Sequence, residues 1–109
     1  MKGKGREFED VACLYLTRIG YKVLRRNVHC RYGEIDILAL DGDTLVFVEV
    51  KGGAGHSSTD PAYRMDTTKL AKILKCAEKL MAEFPAQDCR VDLLVIRGSE
   101  VEHLKNISL

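Results

Sequence analysis

Ile35-Asp36-Ile37-Leu38-Ala39-Leu40, a turn at Asp41-Gly42-Asp43, and Thr44-Leu45-Val46-Phe47-Val48-Glu49-Val50-Lys51 follow one another without a break. Both flanks are apolar runs of strand length, and an aspartate–glycine turn between two such runs predicts a tight antiparallel hairpin. Asp36, Glu49 and Lys51 interrupt these runs, where packing alone would not place charge. A carboxylate buried without a partner normally neutralises or finds a cation. The strand period of two sends Leu45, Phe47, Glu49 and Lys51 to one face and the valines to the other. With an even loop whose tip is Gly42-Asp43, Leu40 faces Leu45 and Asp36 faces Glu49, with Cβ atoms roughly 5 Å apart. An odd loop would separate the two acids.

Like charges facing each other across a sheet are destabilising unless a cation bridges them or one carboxyl stays protonated. Hard oxygen donors suit Mg²⁺ or Mn²⁺, with waters and a substrate phosphate completing the shell. On the same face, Lys51 is placed to orient a water or to stabilise developing negative charge. The residue pattern also admits a plainer reading, in which Glu49 and Lys51 are an edge-strand ion pair and Asp36 is hydrogen-bonded near a strand end.

Upstream, Phe8, Val11, Ala12, Tyr15, Leu16 and Ile19 recur at helical spacing over Arg6–Ile19, with Gly20 as the stop. At about 100° per residue, Glu9 lies roughly 20° from Leu16, at the margin of the buried stripe, while Asp10 points away. Glu9 either reaches over the sheet or complements the helix dipole from the first turn. Tyr21–His29 reads as a first strand, made basic by Arg25 and Arg26, with Arg31 following. Gly52–Pro61 is a glycine-rich loop, either a flap beside the site or a connector, and it contains His56. Met65–Phe84 predicts a second helix. Its Lys72, Lys75 and Lys79 form a solvated face, whereas Lys69, together with Arg64, borders the apolar stripe and can look toward the site. Arg90–Ile96 and Val101–Ile107 complete the chain as strands, with Asp92 a structural acid.

The predicted fold is therefore α/β, in the order α-β-β-β-α-β-β, a mixed central sheet flanked by helices with a right-handed crossover. A chain of 109 residues is read as one domain over 1–109. A hydrophobic share of 46% and a charged share of 30% are those of a soluble globular protein. No signal peptide or membrane span is seen, so a cytoplasmic location without membrane contact is expected. Cys13, Cys30, Cys76 and Cys89 lack CxxC spacing, which predicts reduced structural thiols and argues against a zinc ribbon. The net charge of +1 restricts any nucleic-acid contact to a local patch or a dimer.

An acid on the first helix, an acid on a strand, and Glu-x-Lys on its hairpin partner together form a signature similar to the PD-(D/E)XK nuclease superfamily. More specifically, the chain resembles the YraN family of small bacterial predicted endonucleases over nearly its whole length. The matching pieces are Gly5-x-x-x-Glu9-x-x-Ala12 with Tyr15-Leu16, Gly20-Tyr21, Arg26-Asn27, Arg31-Tyr32-Gly33-Glu34-Ile35-Asp36, Asp41 through Lys51, the helix entry with Lys69, Arg90-Val91-Asp92, and Val101-Glu102-His103. The resemblance implies a restriction-endonuclease-like core, similar to archaeal Holliday-junction resolvases. It implies that Glu9, Asp36 and Glu49 hold one or two divalent ions and that Lys51 assists the attacking water. It further implies a homodimer acting on branched or otherwise non-regular DNA, with Arg25, Arg26, Arg31, Arg64 and Lys69 as candidate contacts to the nucleic acid. Members often carry arginine where this chain has Gly53, so one phosphate contact is expected to be missing. The alternative expectation is a non-catalytic nucleic-acid-binding module of a DNA-processing assembly.

Overall fold

The computed structural model describes residues 3–52, 67–84 and 86–107. The elements are α1 (Gly3–Arg18), β1 (Lys22–Cys30), β2 (Gly33–Asp41), β3 (Thr44–Gly52), α2 (Thr67–Glu83), β4 (Asp88–Arg97) and β5 (Glu100–Leu104). This is the α-β-β-β-α-β-β order expected from the sequence. The five strands form one sheet in the order β1-β2-β3-β4-β5, antiparallel throughout except for the β3–β4 pair. A parallel pair cannot be joined by a tight turn, and α2 lies in the connection that brings the chain from β3 to β4. No helix among the described residues is long and apolar enough to cross a membrane.

Each helix has a local cause. Helix α1 stops because Gly20 adopts φ +96°. The Gly20 N–H then bonds the Thr17 carbonyl at 3.1 Å and the Tyr21 N–H bonds the Leu16 carbonyl at 2.9 Å. That pair of bonds is a Schellman cap, and it delivers Tyr21 into the core behind the helix. Along α2, Ile73, Cys76, Ala77 and Leu80 form the buried stripe.

The two helices cover separate apolar layers on the sheet. Leu38, Leu45, Phe47 and Val91 pack with Ile73, Ala77 and Leu80 in the α2 layer, whereas Ala39, Val46, Val48, Leu94 and Ile96 pack with Ala12 and Leu16 in the α1 layer. The alternation along β3 is the one that the period of two predicts. In β2 the alternation fails at one place. Ile35 packs in the α2 layer and Ile37 in the α1 layer, although two residues apart should share a face. Asp36 is the residue between them.

The cysteine expectation needs correction at one pair. Cys30, at the end of β1, and Cys76, on α2, are joined as a disulfide with Cα atoms 6.0 Å apart, while Cys13 and Cys89 are free. The two partners are 46 residues apart in sequence, so only the packing of α2 under the edge of the sheet brings them together. No spacing motif announces such a pair.

Candidate active site

The hairpin register is the even one, with Asp41 opposite Thr44, Leu40 opposite Leu45 and Ile37 opposite Val48. Gly42 opens the two-residue turn at φ +61°, a conformation that glycine adopts without steric cost. Extending this register would pair Asp36 with Glu49, but the ladder ends at Ile37 and Val48. Beyond that point the Asp36 carboxylate takes over: its Oδ2 accepts the Val50 N–H at 2.8 Å. On the other side of Asp36, Asn27 of β1 stands between the pairs Arg26–Ile37 and Val28–Ile35 with φ +53°. Left-handed backbone is unusual for a residue with a side chain, and asparagine is among those that tolerate it best. The break in alternation, the end of the ladder and the left-handed Asn27 coincide, and together they open a fork between β2 and β3.

Glu49 lies on β3 just past the fork and is 1% exposed. Among the described residues its partner is Lys69 of α2, whose Nζ makes a close ion pair with Oε2. Oε1 is buried with no hydrogen-bond partner among those residues. Burial by itself would lower the Lys69 amine, but the Glu49 carboxylate outweighs it and holds the amine above its ordinary value. Asp36 moves the other way from a typical surface aspartate. Burial, then repulsion from Glu49, raises its carboxyl to about 6, against the pull of the Val50 N–H; Glu9 adds to the rise and Lys69 opposes it. Asp36 therefore feels both other acids.

Glu9 approaches from the α1 side. Its Oε1 accepts the Asn27 amide at 3.1 Å and lies 3.6 Å from the Arg26 guanidinium. Gly52 helps to seat this end of α1: a Cβ there would run into the Phe8 ring, so β3 passes directly beneath the helix one residue before Glu9. Glu9 and Glu49 thus belong to different layers and meet at the fork through Asp36. Among the described residues, no three His, Cys, Asp or Glu side chains stand close enough together to hold a single ion. The chemistry nonetheless suits a divalent cation at Asp36 and Glu49, since an orphaned buried carboxylate oxygen stands beside an acid destabilised by its neighbour. Magnesium commonly takes one or two carboxylates and fills its remaining positions with water and phosphate. Lys51 follows Glu49 by two residues on β3, which places both on the same side of the strand.

Among the described basic candidates, Arg25 and Arg26 point to different layers. Arg25 pairs with Glu83 at 2.7 Å and lies over the Phe84 ring at 4.7 Å, toward the α2 side. Arg26 pairs with Asp10 at 2.8 Å, toward α1. Arg31 lies 5.9 Å from the centre of the Tyr32 ring. Arg64, His56 and Gly53 fall outside the described residues. Reasoning from the sequence missed Asn27 as the bridge to Glu9, and an asparagine inside a predicted strand is the one signal that could have revealed it.

A second polar cluster lies in the α1 layer. Asp92 is 0% exposed and accepts from the Asn106 N–H at 3.0 Å, the Arg90 Nε at 3.0 Å and the His103 Nε2 at 2.7 Å. With Nε2–H given to Asp92, the His103 Nδ1 accepts the Tyr15 hydroxyl at 3.0 Å. Arg90 also holds Asp41 at 2.9 Å and closely contacts the Tyr21 hydroxyl. Burial alone would raise the Asp92 carboxyl, but the bonds from His103, Arg90 and Asn106 hold it below its ordinary value.

Fold and site define an α/β protein whose mixed sheet forks between a half-buried aspartate and a buried glutamate. The chain belongs to the UPF0102 family: residues 8–96 match the family described as "Uncharacterised protein family UPF0102". It is 40% identical over 110 residues to a UPF0102 protein of Wolinella succinogenes, covering 99% of this chain and 98% of that one. It is also 42% identical over 107 residues to a UPF0102 protein of Kosmotoga olearia, covering 95% and 91% respectively. A Campylobacter concisus relative is 40% identical over 107 residues, covering 96% and 93%.

Proposed function

We propose that this protein is a divalent-metal-dependent endonuclease of the YraN type within the PD-(D/E)XK superfamily, hydrolysing phosphodiester bonds in branched or otherwise non-regular DNA. The observation that carries this reading is the buried Glu49 carboxylate, with Oε1 unpartnered among the described residues, beside the destabilised Asp36. Nothing in the packing of a sheet calls for that pair. Asp36 and Glu49 would hold Mg²⁺ or Mn²⁺, with Glu9 a further acid at the fork. A bound divalent ion supplies Lewis acidity toward a phosphoryl oxygen and a water that ionises near neutral pH. The chain's own residues do the rest. Asp36 is held in place by the Val50 N–H, and Lys51 stands on the same strand as Glu49 to orient a water or offset charge on the phosphate. The resemblance that supports this reading also supports a homodimer.

One observation favours a second reading, a nucleic-acid-binding module without catalysis. Lys69 already pairs with Glu49, and among the described residues no third acid closes on it. The two readings separate in a single assay. Protein incubated with flapped, four-way and single-stranded DNA and Mn²⁺ is expected to nick at least one substrate, and Glu49→Gln is expected to abolish nicking with an unchanged circular dichroism spectrum. If calorimetric titration with Mn²⁺ gives no heat dependent on Glu49 and no substrate is cut, the endonuclease reading fails.

A further inference from the structure

We infer that the groove between the β1–β2 turn and α2 is a platform for unpaired nucleotides, with Tyr32 stacking a base and Lys72 and Lys75 holding the backbone that leads to the candidate active site. This deepens the proposed function by naming the substrate as single-stranded or flapped DNA, and it rests on the nucleic-acid part of that reading.

Tyr32 sits at the tip of the turn between β1 and β2 and is 43% exposed. Two clefts of about 310 and about 450 Å³ meet at this ring, and both are also lined by Lys72. Lys69 lines the first and Lys75 the second. Lys75 Nζ is 5.1 Å from the ring centroid and Arg31 Cζ 5.9 Å. Two cations thus stand within 6 Å of one exposed aromatic ring, and Lys69 and Lys72 line the clefts that meet at it. The acid in the first cleft, Glu34, lies 3.3 Å from His29. Lysines spaced along one helix face would ordinarily be a solvated surface, but here an aromatic ring is set down among them by a different element.

An exposed aromatic surrounded by lysine and arginine is the chemistry that binds single strands: the bases stack, and the cations follow the phosphates without reading sequence. A B-form duplex keeps its bases in the helical stack and cannot offer one to Tyr32, so the platform selects unpaired nucleotides. A stacked base is a stronger partner for the ring than an exposed lysine, so Lys75 is free to move from ring to phosphate. The groove also has a direction. Lys69 lines the first cleft and pairs with Glu49, so a strand anchored on Tyr32 and passing Lys72 arrives at the buried Glu49 carboxylate.

The test is binding in EDTA, which separates it from any cleavage. The probes are a fluorescein-labelled oligothymidylate, a single strand carrying 2-aminopurine, and a blunt duplex of matched length. Wild type is expected to bind the single strands with strong salt dependence and to quench the 2-aminopurine. Tyr32→Ala should weaken single-strand binding about tenfold and abolish quenching, while Tyr32→Trp retains both. The double variant Lys72→Glu, Lys75→Glu should weaken binding and flatten the salt slope. Duplex affinity should not change with Tyr32→Ala. The inference is overturned if wild type ignores single strands, if Tyr32→Ala binds and quenches like wild type, or if it loses single strand and duplex equally. Loss of nicking by wild type with Mn²⁺ would sink the endonuclease reading and leave this result standing. Nicking with unaltered Tyr32→Ala binding would do the reverse.

Discussion

Glu49 and Asp92 are both carboxylates buried in the middle of the same sheet, on neighbouring strands, and they are treated in opposite ways. Asp92 has a partner at every oxygen, through Asn106, Arg90 and His103. Glu49 has Lys69 on one oxygen and nothing on the other among the described residues. A fully paired buried acid fixes the arrangement of the elements around it, here β4, β5 and the end of α1. An acid left half-paired costs stability, and proteins retain that cost chiefly where the group has something outside the fold to bind. The contrast separates a structural knot from a site more sharply than burial does.

The largest effect is expected at the knot. Asp92→Ala leaves Arg90 and His103 without their shared anion and should cost about 3–5 kcal/mol, read as a fall in the urea midpoint. A loss below about 1 kcal/mol would remove the distinction between the two acids. Next comes Glu49→Gln, which should lower Mn²⁺-dependent nicking about a hundredfold or more while changing stability by less than about 1 kcal/mol, since the amide relieves a buried charge. Destabilisation as large as that of Asp92→Ala would make Glu49 a structural residue too.

Acid titration sharpens the comparison, because the carboxyls at the two sites shift in opposite senses. The Asp36 carboxyl is raised from 3.8 to about 6 in the folded protein, so its folded form binds the extra proton. Its contribution to stability is present below the unfolded value and is lost as pH rises from about 4 to about 6. Asp92 is lowered, so its contribution is present above the ordinary value and disappears as pH falls through the lowered one. In urea denaturation measured across pH, Asp36→Asn should therefore remove a downward slope between about pH 4 and 6, whereas Asp92→Asn should remove an upward one at lower pH. The smallest effect belongs to Arg25, whose exposed pair with Glu83 should contribute no more than about 1 kcal/mol. Arg25→Ala therefore serves as the surface control in the same urea series.

Local chemistry made much of this readable from residues alone. Gly20 ends α1, and the even loop at Gly42-Asp43 sets Leu40 against Leu45, both as expected. The period of two correctly divided β3 between the layers. The same rule failed at Asp36, because a carboxylate can replace a backbone acceptor and let the pleat change phase, and no periodicity anticipates that. The pairing of Lys69 with Glu49 was only half visible, since the lysine's place on α2 could be read but not its partner. Cys30 with Cys76, and Tyr32 among the lysines, depend on how α2 docks on the sheet, which leaves no trace in spacing. Arg90-Val91-Asp92 and His103 were separate fragments until β4 and β5 paired and joined them.

The bond from the Val50 amide to Asp36 ties the main chain to one of the two acids proposed to hold the ion. When a cation withdraws electron density from that oxygen, the amide loses part of its acceptor, and β3 registers the event one residue from Glu49. On the proposed function, the Val50 amide resonance should therefore shift on occupancy, a change that a metal titration followed by heteronuclear NMR reads before any substrate is added.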